Sequence, residues 1–211
     1  MAYGDFSLPT LLQKFSLETE EREDYFASTS PIELSQDMLD RIKRQAARAI
    51  AVSTEKARSE FIIAPLLLEA LEHTDQVVSF FSGIELSPAP ELGLNGVCDF
   101  LFSLSPSQIL MTAPIVAIVE AKNDNVRFGF EQCIAEMVAS QIYNQQKKSS
   151  LSTYYGVSTT GTNWIFMRLV GQTIFIDRTE YYISDPEKLV GIVVRMLEEA
   201  GRDFKARLEN G

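Results

Sequence analysis

The sequence predicts an α/β fold on three observations. Apolar residues recur at helical spacing in long stretches near residues 35–73, 128–148 and 186–208. Between them lie short runs rich in Val, Ile and Phe, bounded by Gly and Pro. The two patterns alternate along the chain instead of segregating. With 211 residues, 45% hydrophobic and 23% charged, the chain is long enough for one domain with a full core.

Residues 1–35 read as an N-terminal arm, ahead of a single domain over 36–211. Phe6, Leu8, Leu11, Leu12 and Phe15 make a short docking turn. The acidic cluster Glu18 to Asp24, relieved only by Arg22, and then Ser28-Thr29-Ser30-Pro31 read as loop. A helix follows, with Ser35 as N-cap and Asp37 in the first turn. Met38, Ile42, Ala46, Ala49 and Ile50 form its apolar face; Arg41, Arg44 and Arg48 form another, read as a solvated basic stripe with nucleic-acid contact as the alternative.

A second helical segment runs from Ser53 or Thr54 to His73. Pro65 removes a backbone donor and predicts a kink or a new first turn. Leu66 to Leu68 predict packing against the sheet, and His73 suits the negative end of the helix dipole.

Strand patterns then cover Val77 to Leu86, Val97 to Leu104 and Ile115 to Ala121, punctuated by Pro88, Pro90, Gly93, Gly96, Pro106 and Pro114. Phe128 to Lys148 returns to a helical period, with Phe130, Ile134, Met137, Val138 and Ile142 on the buried face. Thr153 to Ser158 is a further strand. Trp164 to Val170 and Gln172 to Asp177 predict a hairpin about Gly171, with Trp164 as a core or interface residue. The last helix, Pro186 to about Leu208, opens on an Asp185 cap.

Two of these strands carry charges inside oily runs. Asp99 sits in Gly96-Val97-Cys98-Asp99-Phe100-Leu101-Phe102, and Ile115-Val116-Ala117-Ile118-Val119 ends in Glu120-Ala121-Lys122. A buried unpaired charge costs several kcal/mol, so these groups need partners or a task. Strand periodicity puts Glu120 and Lys122 on one face. The bland reading is a buried ion-pair network.

Composition narrows the alternatives. No apolar run approaches the roughly 20 residues that span a bilayer, and no secretory signal opens the chain, so a cytoplasmic location is the expectation. Two cysteines and one histidine exclude a disulfide scaffold or a Cys/His zinc site. The net charge of −10 argues against loose, whole-surface attraction to nucleic acid. No Gly-rich phosphate loop or nucleophile elbow is visible.

An acid on one strand followed by Glu-x-Lys on the next resembles the signature of the PD-(D/E)xK nuclease superfamily. The order helix, three strands, helix, strand over residues 54–158 is similar to its common core. Glu60-Phe61-Ile62-Ile63-Ala64-Pro65-Leu66-Leu67 resembles the acid-led, proline-containing first helix of type I restriction enzyme N-terminal nuclease-like domains. Gln132 is similar in position to a glutamine found after the Glu-x-Lys strand in many members. The chain departs from the family pattern in carrying Cys98 where proline often precedes the acid, and Glu136 where some RecB-like relatives carry tyrosine.

The resemblance implies a restriction-endonuclease-like αβββαβ core, a central mixed sheet flanked by helices, with an added C-terminal hairpin and helix. It implies a metal-dependent nuclease acting on DNA, with Asp99, Glu120, Lys122 and Gln132 as catalytic residues. Glu60, Asp99, Glu120 and the Ala121 carbonyl would serve Mg²⁺ or Mn²⁺. Cleavage of both strands makes a homodimer a further expectation. The alternative is a catalytically silent member of the fold, working as a binding or assembly module.

Overall fold

The computed structural model describes residues 2–22, 24–149 and 151–209. Helices α1 (Leu8–Phe15), α2 (Gln36–Val52), α3 (Glu55–Arg58), α4 (Ala64–Glu72), α5 (Phe130–Gln146) and α6 (Pro186–Glu209) surround a single sheet. Its strands are β1 (Glu18–Arg22), β2 (Ser79–Glu85), β3 (Val97–Ser103), β4 (Ile115–Ala121), β5 (Thr153–Thr159), β6 (Asn163–Val170), β7 (Thr173–Asp177) and β8 (Tyr181–Tyr182). The sheet order is β1-β7-β6-β5-β4-β3-β2, with β8 beside β6. It is mixed: β4 runs parallel to β5 and β1 to β7, while the other pairs are antiparallel.

Parallel neighbours cannot be joined by a tight turn, so the chain leaves β4, forms α5 across the sheet and returns as β5. Tyr155 and Gly156 show that both faces are covered. The Tyr155 hydroxyl donates to Glu199 on α6 at 2.7 Å. A Cβ on the next residue, Gly156, would lie 2.9 Å from Cys133 Sγ on α5. Successive strand residues point to opposite faces, so α5 and α6 sandwich the sheet. Asn144 ties the far end of α5 to β4 by accepting from the Ile115 N–H and donating to the Ile115 carbonyl, both at 2.8 Å.

Ser35 and Thr54 cap α2 and α3 by accepting from Met38 N at 3.2 Å and Ala57 N at 3.1 Å. Between α3 and α4 the backbone widens into a π-turn, Ser59–Ile63, where Ala64 N–H bonds the Ser59 carbonyl. The irregularity expected at Pro65 therefore lies one turn upstream, where the widened turn takes up the helical bond that Pro65, lacking an N–H, cannot donate.

Three sequence expectations are corrected. The acidic stretch read as loop contains β1, an edge strand paired with β7 from Glu18↔Thr173 to Arg22↔Asp177. Its polarity suits an edge, where charge discourages further pairing; Glu23 of that cluster lies outside the described residues, as does Ser150 beyond α5. Leu68 and Ile50, expected to be buried, are each 49% exposed. Leu68 sits beside the fully buried Leu66 and Leu67 on a helix only one face of which meets the core.

The arm packs into the same core: Tyr3, Phe6, Leu11, Leu17 and Phe26 are all buried. Helix α1 and the 3-10 turn Tyr3–Asp5 lie over α5. This second cover explains why α5 is buried around most of its circumference from Cys133 to Ser140. Among the described residues no helix is long and apolar enough to cross a membrane.

Candidate active site

The β3–β4 ladder runs from Ser103↔Ile115 to Phe100↔Val119 and stops there. The next β4 amide facing β3, Ala121 N–H, is bonded by the Asp99 carboxylate at 2.8 Å instead of by backbone. A side chain thus replaces a ladder bond, and the strands fork where the charges begin. In an extended strand a residue's N–H and C=O point to the same edge, so the Ala121 carbonyl is directed toward this fork. Ala121 continues its pairing with β5 on the other side, and Lys122 N–H bonds the Thr159 carbonyl at 2.8 Å.

Glu120 and Lys122 share a face, as strand periodicity requires. Lys122 Nζ donates to Glu120 Oε1 at 2.5 Å and to Gln132 Oε1 at 3.1 Å. Gln132 Nε2 in turn donates to Glu136 Oε1 at 3.2 Å, one helical turn along α5. These contacts link four side chains from two elements. Gly129, at the close of the 3-10 turn Val126–Gly129, makes room for them. A Cβ there would lie 3.3 Å from both Glu120 Cγ and Lys122 Cγ and would overlap Ser158 Oγ.

Burial sets the electrostatics. Glu120 is 1% exposed, and its carboxyl is pushed up to about 8 by that burial and by the neighbouring Asp99 charge, with Lys122 working against the rise. Glu136 is wholly buried and is held well above the usual carboxylate range, first by burial and then by the charge of Glu120. Asp99, half-buried, is raised by burial, and the Ala121 N–H and Lys122 moderate the rise. Burial would lower Lys122, but Glu120, Glu55 and Asp99 together outweigh it and the ammonium is raised. One oxygen each of Glu120 and Glu136, Oε2 in both, is buried without a hydrogen-bond partner among the described residues.

The structure therefore brings Asp99, Glu120, Ala121, Lys122 and Gln132 together. It does not bring Glu60 with them: that carboxylate keeps about half its exposure and pairs with Lys56 at 3.2 Å. Glu55, the first residue of α3, is instead the helix acid whose charge is felt at both Glu120 and Lys122. The family resemblance of the Glu60 to Leu67 motif placed the acid at Glu60, and Glu60 falls within the π-turn Ser59–Ile63, where the regular helical face is interrupted. Glu136 was noted only as a departure from the family pattern; its place one helical turn after Gln132, on the same face, was the signal that could have found it.

No family model, curated protein or solved structure matches the chain.

Other residues singled out from the sequence have structural roles. Trp164 is fully buried and donates from Nε1 to the Gly161 carbonyl at 2.9 Å. His73 Nε2 lies 3.2 Å from Glu69 Oε1 at the end of α4. Cys98 and Cys133 are free and buried, and burial raises both thiols, which keeps them protonated. Arg41, Arg44 and Arg48 are exposed along α2.

Among the described residues no group of three or more His, Cys, Asp or Glu side chains is gathered to hold a metal ion. The donors at the fork are two carboxylates and a backbone carbonyl. They are hard oxygen ligands of the kind that suits Mg²⁺ or Mn²⁺. Lys122 retains 21% side-chain exposure, so the site is reached from solvent along the lysine.

Proposed function

We propose that the chain is a divalent-metal-dependent phosphodiesterase acting on DNA, built on a PD-(D/E)xK nuclease core. The observation that supports this reading is the convergence of Asp99, Glu120 and Lys122 at a fork in the sheet. The order α3 to α4, β2, β3, β4, α5, β5, with β4 and β5 parallel and β3 antiparallel to β4, supports it.

Asp99, Glu120 and the Ala121 carbonyl would hold the ion. When bound, it supplies a Lewis acid for the phosphoryl oxygens and lowers the proton affinity of the attacking water. The chain's own groups do the rest. Lys122 presents an ammonium that stabilises negative charge developing on the phosphoryl group and orients the water. Gln132 holds Lys122 from the helix side. Glu136, tied to Gln132 Nε2, orients the amide so that its oxygen faces the lysine.

A second reading, a catalytically silent binding or assembly module, draws on the closure of the Glu120–Lys122 pair. The two separate in one experiment: purified protein is incubated with supercoiled, linear and single-stranded DNA plus Mg²⁺ or Mn²⁺, beside Asp99→Ala and Lys122→Ala. Cleavage that falls at least about 100-fold in both variants supports the nuclease. Equal cleavage by all three proteins means a contaminant. No cleavage together with no Mn²⁺ heat by calorimetry leaves the silent module.

A further inference from the structure

We infer that Phe128 is a stacking platform for an unpaired base of a strand held at Lys122, which makes single-stranded or frayed DNA the substrate class. The inference rests on the reading above for the claim that the ligand is nucleic acid. Phe128 belongs to the 3-10 turn Val126–Gly129, between β4 and α5. It is 71% exposed, more than any other aromatic side chain of the described residues, with Tyr182 next at 50%. A lone apolar side chain in water is ordinary on a protein surface. What singles this one out is what its turn touches.

The turn is fastened to the candidate active site. Gly129, the next residue, packs so closely that a Cβ there would lie 3.3 Å from Glu120 Cγ and from Lys122 Cγ. Consecutive Cα atoms are about 3.8 Å apart, so the Phe128 side chain leaves the backbone one residue from the wall of the site. In the first turn of α5, Gln132 accepts from Lys122 Nζ at 3.1 Å. Nucleotides along one strand of a duplex are spaced about 3.4 Å apart, so a base within a few nucleotides of a phosphate at Lys122 comes within reach of the ring.

The mount of the ring is rigid. Phe128 N–H donates to the Asn125 carbonyl at 3.1 Å, Arg127 N–H to Asn125 Oδ1 at 2.9 Å, and the Ser158 hydroxyl of β5 to the Val126 carbonyl at 2.5 Å. A platform ordered before the ligand arrives loses little freedom on binding.

Charge decides what the turn offers a strand. Arg127 is its one cation, between Asp124 and Glu131, on a chain of net charge −10. Affinity through phosphates draws on an excess of Lys and Arg, whereas a base stacks on an aromatic face without one. The bases of a duplex are already stacked on one another, so the ring selects a base that is unpaired.

The test puts a reporter in place of the ring. Trp164, the chain's own tryptophan, is fully buried, so in Phe128→Trp the added indole is the one that meets ligand. A short single-stranded deoxyoligonucleotide, added to the full chain with Ca²⁺, should quench the new emission, and a blunt duplex of the same sequence should quench it far less. Anisotropy of a labelled strand should show binding roughly tenfold weaker in Phe128→Ala and in Phe128→Leu but retained in Phe128→Tyr, because a base needs a π-face and not apolar bulk alone. That loss should be equal at low and high salt, and melting temperatures should stay at the native value, since the ring lies mostly in water.

No quenching by the single strand, equal quenching by strand and duplex, or native affinity in Phe128→Ala or Phe128→Leu would each overturn the inference. Cleavage by the native chain with no quenching in Phe128→Trp overturns the platform and leaves the nuclease standing. Quenching by the single strand in a chain that cuts nothing does the reverse.

Discussion

At the end of β7, Asp177 is 2% exposed and accepts from Phe26 N at 3.1 Å, Thr179 N at 2.9 Å and the Tyr181 hydroxyl at 3.0 Å. At the end of β4, Glu120 is 1% exposed, and Glu136 on α5 is wholly buried, yet each keeps an oxygen with no hydrogen-bond donor among the described residues. The first carboxylate is saturated and staples the segment after β1 to the added hairpin. The second pair is desolvated without full compensation, a cost that a purely structural network avoids. Burial is common to both places; what differs is how fully the buried oxygens are partnered among the described residues.

The largest expected effect breaks the saturated side. Asp177→Ala strands two backbone donors and a tyrosine hydroxyl and should destabilise the fold by about 3–5 kcal/mol, measured by urea denaturation. A loss below about 1 kcal/mol would show that those bonds do not staple the hairpin. Next comes Gly129→Ala, which drives a methyl against Glu120, Lys122 and Ser158. It should cost about 1–3 kcal/mol and weaken Mn²⁺ binding by calorimetry, whereas a neutral result would mean that the fork is looser than its contacts indicate.

Glu136 sharpens the comparison through pH. Its carboxyl is held above its ordinary 4.5, first by burial, so the folded chain binds a proton that the unfolded chain has released. The contribution is fully present below about pH 4.5 and is lost as pH rises through the folded value, so stability should fall with rising pH in that window. Glu136→Gln keeps the acceptor for Gln132 without the ionisation. It should match the native chain near pH 4 and exceed its stability by about 1 kcal/mol at pH 8, the scale of one uncompensated buried polar group, as read by thermal melts. A parallel pH profile for the two proteins would remove Glu136 from the network of raised acids.

The smallest effect separates the two helix acids. Glu60→Ala, at an exposed pair with Lys56, should change stability by less than about 0.5 kcal/mol and leave Mn²⁺ affinity unchanged. Glu55→Ala removes a negative charge felt at Glu120 and Lys122, so it should lower the Lys122 proton affinity, read from its ¹³Cε shift across a pH titration. The reverse ranking of these two variants would return the site to Glu60.

Much of this was legible before any coordinates. The Val, Ile and Phe runs predicted β3 and β4, and the charges embedded in them required partners or a task, because an ionisable group in a buried strand has few ways to be satisfied; that Asp99 joins Glu120 and Lys122 was what the family resemblance implied. The edge strand β1 was not legible. Glu18 to Arg22 has no apolar alternation, and its place comes from backbone bonds to β7, which side-chain pattern does not encode. Ile50 and Leu68 show the limit of periodicity, which identifies a face but not how far the core extends across it.

The sequence by itself determined the alternation of helices and strands and the acid, Glu-x-Lys constellation, since both follow from local spacing and from the cost of burying charge. Only the tertiary structure decided that Glu55 rather than Glu60 is the helix acid felt at the site, that Glu136 closes the network from α5, and that the N-terminal segment joins the sheet. Those outcomes depend on a π-turn, on helix packing and on an edge pairing between segments about 150 residues apart. Long-range contacts of this kind are set by which surfaces remain to be covered once the local elements exist.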